Sequence, residues 1–244
     1  MPSPDIEEME KQMKKYVRIG AMGVGLAGLV VTSAGAAYAN HTAVSIGGNT
    51  SVASVAYTAA NDTAEISFMT NYGVQMRCSI ATINGSINRG TVVNPGNTVA
   101  SIGNLFFDDC WMGAFPLSVT MTGATIDVRT HPTNAGDPVA VVITDIDAHI
   151  ETTDPNVPCA FDAAGTLDAV ITPGSGAKDA VLTLAPAVFS GPNPVSGFDL
   201  EISGVFGCGG EVQNGDLAGG FYYDEPNAIP SAFAVDTAGL VTHS

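Results

Sequence analysis

Asp145, Asp147 and His149 stand at i, i+2 and i+4 in the run TDIDAHI, 144–150. In an extended chain, alternate side chains leave the same face, about 7 Å apart for every second residue. Two carboxylates and an imidazole aligned in this way form a candidate ligand set for a divalent cation. Ile146, Ala148 and Ile150 occupy the opposite face. The reading we favour is therefore the wet side of an amphipathic strand, with no metal or other cofactor required.

Asp108 and Asp109 precede Cys110 and Trp111. Carboxylates beside an aromatic ring are frequent neighbours in sugar recognition; the plainer reading is a loop acid pair next to a capping tryptophan. The segment NGDLAGGFYYDEP (214–226) gathers Phe221, Tyr222 and Tyr223 with Asp224 and Glu225. It reads as one more strand with tyrosine hydroxyls at its rim. His41, His131 and His243 form no motif with other residues.

Catalytic signatures are scarce. The chain has no G-x-S-x-G and no H-E-x-x-H, and its S-x-x-K lacks companion motifs. Paired carboxylates serve glycoside hydrolysis, but twenty acidic residues beyond residue 39 make some pair inevitable. No catalytic residue is assigned. The match Gly23-Val24-Gly25-Leu26-Ala27-Gly28 to G-x-G-x-x-G lies inside an apolar leader, without the strand, helix and distal acid of a dinucleotide site.

That leader sets the address. Lys14, Lys15 and Arg18 precede the apolar run Ile19–Val31, and Ala37-Tyr38-Ala39 has the small-x-small form of a cleavage site. A start at Met13 and cleavage after Ala39 are expected, which makes 1–39 an extension plus signal peptide and 40–244 the exported domain. An uncleaved anchor is the competing reading. Residues 1–39 hold equal numbers of acidic and basic residues, so the net charge of −16 belongs to 40–244. The basic residues there are Arg77, Arg89, Arg129 and Lys178. Such a surface repels phosphate backbones and anionic lipids, which excludes nucleic-acid binding.

Four cysteines in an exported chain imply two disulfides. The frame of MRCSIATINGSINRG (76–90) returns as VPCAFDAAGTLDAVITPG (157–174). Each run places a cysteine before a small polar turn, with a glycine six or seven residues on. Each is followed by a second cysteine that closes an Ile-x-(Asn/Gly)-hydrophobic-Phe run. This predicts Cys78–Cys110 and Cys159–Cys208. Zinc is disfavoured, because no C-x-x-C pair is present.

The elements that must position these residues are strands. Helical periodicity is missing beyond residue 40, and two-residue alternation recurs instead. Val74, Met76, Cys78 and Ile80 share one face of VQMRCSIA. Phe198, Leu200, Ile202, Phe206 and Cys208 are expected to share another. In LSVTMTGATIDVRT the apolar phase shifts at Gly123, the mark of a bulge. Further strands are expected at 43–47, 51–58, 64–70, 98–107, 137–150, 166–172, 180–184 and 231–235. The fold class is all-β: an antiparallel β-sandwich, jelly roll or barrel, with an N-terminal signal helix. Two pseudo-repeats, 40–135 and 136–244, are expected to share one core.

The signal, TNYGVQMRC, the cysteine hairpin, GDPV before a valine-rich strand and GCGGEVQNGD together resemble uncharacterised secreted β-rich proteins of actinobacteria. The resemblance spans residues 40–244 and implies export and a β-rich fold, with no activity. The expected function is a non-enzymatic, secreted or cell-envelope-associated β-protein that binds an extracellular or envelope partner or has a structural role. The first alternative is an envelope β-barrel pore or lipid carrier. For a pore, only 117–130 and 137–150 look long enough. The second alternative is an extracellular hydrolase.

Overall fold

The structure is a computed structural model. It describes residues 43–63, 65–175, 178–186, 188–190, 193–197, 199–220, 231–237, 239 and 241–243. All of these belong to one compact unit, Asn40–Ser244. The expected signal helix, Phe198, His41 and the cluster Phe221–Glu225 lie outside the described residues.

Five long strands carry the architecture: β4 (Gln75–Arg89), β5 (Thr98–Met112), β6 (Phe115–Val128), β7 (Val139–Thr152) and β8 (Ala160–Pro173). They form an antiparallel meander, each bonded to the next. Six shorter strands complete the wall in two panels. β2 (Ala53–Asn61), β14 (Ala232–Asp236) and β9 (Ala180–Leu184) bridge the C-terminal halves of β4 and β8. β3 (Ile66–Thr70), β13 (Leu217–Gly220) and β12 (Leu200–Phe206) bridge the N-terminal halves. Both circuits return to β4, so the sheet is a closed antiparallel barrel with eight strands around either end. Closure removes the unpaired edges that an open sheet leaves to other chains. Among the alternatives that the alternation allows, the barrel is the one formed.

The interior is apolar. Val139, Val141 and Ile143 on β7, and Leu117, Val119, Ala124, Ile126 and Val128 on β6, are buried. The phase shift on β6 occurs at Gly123, which has φ +55, as the pattern predicts. On β7 a bulge between Ile143 and Ile146 performs the same shift, with Asp145 at φ +58. Outward positions carry Ser118, Thr120, Thr144, Asp147, His149 and Asp162, which gives the barrel a polar coat.

Both disulfides lie at one end. Cys78–Cys110 joins β4 to β5, and Cys159–Cys208 joins the start of β8 to the chain just past β12. The pairing read from the recurring frame is the one formed. The opposite end is plugged by β1 (Val44–Ile46) paired with β15 (Val241–His243). Val44, Ile46 and Val241 are buried there, and His243 Nε2 meets the Asp137 carbonyl at 2.7 Å. β10 (Val188–Ser190) and β11 (Asn193–Ser196) form a separate hairpin.

Several local expectations are corrected. The "small polar turn" after each first cysteine is strand interior, since β4 and β8 run through it. A Cβ on Gly85 would lie 2.1 Å from the Ser101 carbonyl oxygen and 2.6 Å from the Tyr57 ring. One on Gly165, at φ +144, would lie 2.2 Å from the Asp199 carbonyl oxygen. The glycine of each frame therefore admits a close neighbour rather than a chain reversal. Ile80 is exposed instead of sharing the face of Cys78, because β4 presents Ser79 and Ile80 outward in succession before Ala81 turns in. Phe206 is also exposed, because a register shift lies between Ser203 and Phe206. Finally, five strands of 14 or 15 residues exist, so strand length does not limit the fold.

Tyr57 is buried under Gly85, and its hydroxyl has no partner. Burial pushes its pKa well up. An unsatisfied buried hydroxyl costs about 1–3 kcal/mol. Tyr57→Phe is expected to raise stability by about 1 kcal/mol in urea melts at pH 7. The folded form keeps the Tyr57 proton where the unfolded chain loses it, near pH 10. This contribution is therefore complete below about pH 10 and is lost as pH rises further. Alkaline melts should show the wild type losing stability more steeply than Tyr57→Phe above that pH.

Candidate functional site

The interior and the disulfide-bearing rim are the two places where function could reside. Inside, a cavity of about 90 Å³ lies toward the disulfide end, among Phe68, Met76, Phe107, Met112, Met121 and Val212. A second, of about 70 Å³, lies toward the plugged end near Tyr57, Ile126 and Val235. Methionine is flexible enough to line such irregular gaps. An engineered cavity of about 150 Å³ takes up benzene, and drug-sized ligands occupy about 300–1,000 Å³. Each void is smaller than either. Ala163→Val, on the lining of the larger cavity, is expected to raise Tm by about 2–4 °C, the equivalent of about 1 kcal/mol. Calorimetry checks this, and a fall in Tm would mean that no room exists.

The loop 207–216 covers the disulfide end. Val212 on this loop is buried against the core. The Asp216 carboxylate, also buried, accepts the Gln213 amide at 2.8 Å, and Asn214 Oδ1 accepts the Val205 amide at 3.0 Å. Cys208 anchors the base of the loop to Cys159.

Around this end the outer wall changes character. Tyr72 in the β3–β4 turn, Trp111 at the end of β5, Phe115 at the start of β6, Phe206 at the end of β12 and Leu217 at the start of β13 are all exposed. Phe206 is 70% and Trp111 41% exposed. Among the described residues, Val52 is the one exposed large hydrophobic side chain near the plugged end. Isolated exposed apolar residues are ordinary; their concentration at one end of a barrel is not.

Trp111 is held in place. Its Nε1–H donates to Asp109 Oδ1 at 2.8 Å. Asp109 has φ +52, a left-handed conformation that Asp adopts more readily than most residues. Hydrogen bonds from Trp111 and then Ser79 lower the pKa of Asp109. Between Phe106 and Cys110, β5 carries one residue more than β6 opposite, and this bulge places Asp108 and Asp109 outward in succession. β4 matches it, with Ile80 paired to Asp108 and Cys78 to Cys110. The backbone groups that the pucker displaces are satisfied by Asn61, which donates to the Ser79 carbonyl at 3.0 Å and accepts the Ala81 amide at 3.1 Å. Arg77 faces Trp111 across the β4–β5 pair and lies 3.7 Å from Glu65.

The residues singled out by sequence are distributed as follows. Asp145, Asp147 and His149 are all exposed on the outer face of β7. Asp145 accepts from Thr125 at 3.3 Å. His149 turns away from the other two: its Nδ1 meets Asp162 Oδ1 at 2.6 Å, and its Nε2 lies 3.9 Å from Glu151. The structure therefore brings His149 to Asp162 on β8 rather than to its own strand's aspartates. Among the described residues no group of three or more His, Cys, Asp or Glu side chains is placed to hold a metal ion. His131 Nδ1 meets the Pro132 carbonyl in the β6–β7 loop. Asp108, Asp109 and Trp111 do gather at one place, but on a bulged strand rather than in a loop. Sequence reasoning missed Tyr72, Phe106, Phe115 and Phe206 as surface residues: Phe106 and Phe206 lie in strands, where an aromatic reads as core until the bulges are known, and Tyr72 and Phe115 fall outside the strands expected from the sequence.

No family model, curated protein or solved structure matches this chain.

Proposed function

We propose that this protein is a non-enzymatic recognition protein of the cell exterior or envelope, in which a rigid barrel presents a binding surface at its disulfide-bearing end. The observation that carries this reading is the gathering of exposed aromatic side chains at that end. Two disulfides fit an oxidising compartment, and the leader and the resemblance to secreted β-rich proteins agree with export. The interior cavities are small, so a surface site is the better-supported place for a ligand.

The alternatives fit less well. A membrane pore requires an apolar outer band and a polar lumen; here the apolar side chains point inward, and Thr, Ser, Asn and Asp coat the outside. Carriage of a lipid inside the barrel needs several times the cavity volume present. For a hydrolase, the His149–Asp162 pair is set on the convex outer wall rather than across a cleft.

The test is binding of the purified protein to isolated envelopes of the producing cell. Wild type is expected to sediment with them, and the variant Tyr72→Ser/Phe115→Ser/Phe206→Ser to remain in the supernatant with an unchanged Tm. Equal sedimentation of the two, or none by wild type, overturns the reading.

A further inference from the structure

We propose that the outer-wall surface around Trp111, bounded by Ser79, Ile80, Phe106, Asp108 and Asp109, binds a neutral sugar unit of a polysaccharide. This rests on the recognition role proposed above and names its ligand class.

The surface alternates aromatic and polar groups as a carbohydrate does. A sugar ring offers C–H faces that stack on aromatic rings and hydroxyls that donate to acceptors. Trp111 supplies the ring, 41% exposed, and Phe106, 55% exposed, lies five residues back on the same strand. That separation is roughly 15 Å at strand rise. Between them lie Asp108 and Asp109, with Ser79 and Ile80 beside them on β4. Carboxylates only accept hydrogen bonds, so the partner must bring donors.

The surface is organised before any ligand arrives. The bond from Trp111 Nε1 to Asp109 fixes the indole. The Cys78–Cys110 bridge ties the two strands directly beneath. Asn61 secures the puckered backbone. Binding to such a surface orders few side chains, which lowers one of the costs of association.

Charge selects among ligands. Arg77 is the basic residue beside Trp111, and Glu65 faces it. Phosphates, sulfates and uronates would meet carboxylates instead of cations and be repelled. An acyl surface would leave Asp108 and Asp109 desolvated and unpaired. A cationic ligand would suit the carboxylates, and its binding would weaken steeply with salt; a neutral sugar's would not.

The experiment is affinity electrophoresis of the full exported domain, residues 40–244, through gels containing a soluble β-glucan, a mannan, a galactan, or a polyuronate as the anionic control. Retardation by at least one neutral polymer is expected, unchanged between 50 and 500 mM NaCl, with no retardation by the polyuronate. Trp111→Ala should weaken the retained interaction at least tenfold and Asp109→Ala severalfold. Trp111→Phe, which keeps a stacking face, should recover much of it, and Val52→Ser, at the plugged end, should match wild type. Unchanged Tm and intact Cys78–Cys110 in each variant separate loss of contact from misfolding. No retardation by any neutral polymer, a Trp111→Ala protein that binds as wild type, or binding abolished by salt overturns the proposal. If envelope sedimentation persists while no neutral polymer retards the protein, the ligand class is wrong and the recognition role stands; if both fail, the role itself fails.

Discussion

Reduction of both disulfides is expected to unfold the barrel at or near ambient temperature. Cys78–Cys110 and Cys159–Cys208 close loops of 32 and 49 residues. In the chain-entropy account, each loop removes enough freedom from the unfolded chain to be worth about 4 kcal/mol. Domains have about 5–15 kcal/mol in total, so losing both bridges consumes most or all of it. For a chain of this size, 1 kcal/mol corresponds to about 2–4 °C in Tm. Each pair replaced by alanine should therefore lower Tm by about 8–16 °C, and the quadruple replacement by about twice that. Circular dichroism melts with and without a phosphine reductant measure this. The two bridges differ in what else they hold. Cys159–Cys208 anchors the loop carrying Val212, so its loss should also speed hydrogen exchange at 207–216. Cys78–Cys110 lies under Trp111, so its loss should alter tryptophan fluorescence before global unfolding. A reduced protein that melts within a few degrees of the oxidised one would show that closure of the barrel alone is enough.

Gly85→Ala and Gly165→Ala are expected to be among the most harmful point substitutions. The added methyl would meet main chain in both cases: the Ser101 oxygen at 2.1 Å or the Asp199 oxygen at 2.2 Å. Backbone oxygens of paired strands cannot step aside without breaking ladder bonds. Overpacking usually costs about 1–3 kcal/mol and more where nothing can yield, so about 3 kcal/mol or more is expected, a fall of about 10 °C. At Gly85, Tyr57 adds a second clash at 2.6 Å. Shrinking that ring in Gly85→Ala/Tyr57→Leu should therefore recover only part of the loss. Gly96→Ala provides the contrast. Gly96 has φ +83 but open space around the missing Cβ, so it bears only left-handed strain of about 1–2 kcal/mol. Urea melts of the three variants rank the effects. Gly85→Ala as mild as Gly96→Ala would mean that β4 and β5 can separate at little cost.

The recurrence of one cysteine frame could be read directly, and so could the pairing it implied, because a half-chain that recurs tends to pair within itself. The role of the glycine in that frame could not. Gly85 and Gly165 look like turn residues beside Asn and Ser or Ala, and only the approach of a neighbouring strand makes them strand interior. Ile80 and Phe206 failed for a related reason. A strict alternation assigns faces only until a bulge, and a bulge is set by register with the partner strand. Gly123 was the exception, since the apolar phase changes visibly on either side of it.

From the sequence alone came the all-β class, the inward aliphatic set of most strands, the two crosslinks and the acidic character of the surface. These are local or compositional properties, carried by period-two alternation, cysteine count and charge. Only the tertiary structure decided that the sheet closes, that its apolar interior holds cavities of about 90 and 70 Å³, and that Trp111, Phe115 and Phe206 stand at one end. Closure depends on β4 and β8 each accepting two different partners along one edge. Which distant segment completes which half of the wall is a question of pairing across the whole chain, and no local pattern encodes it.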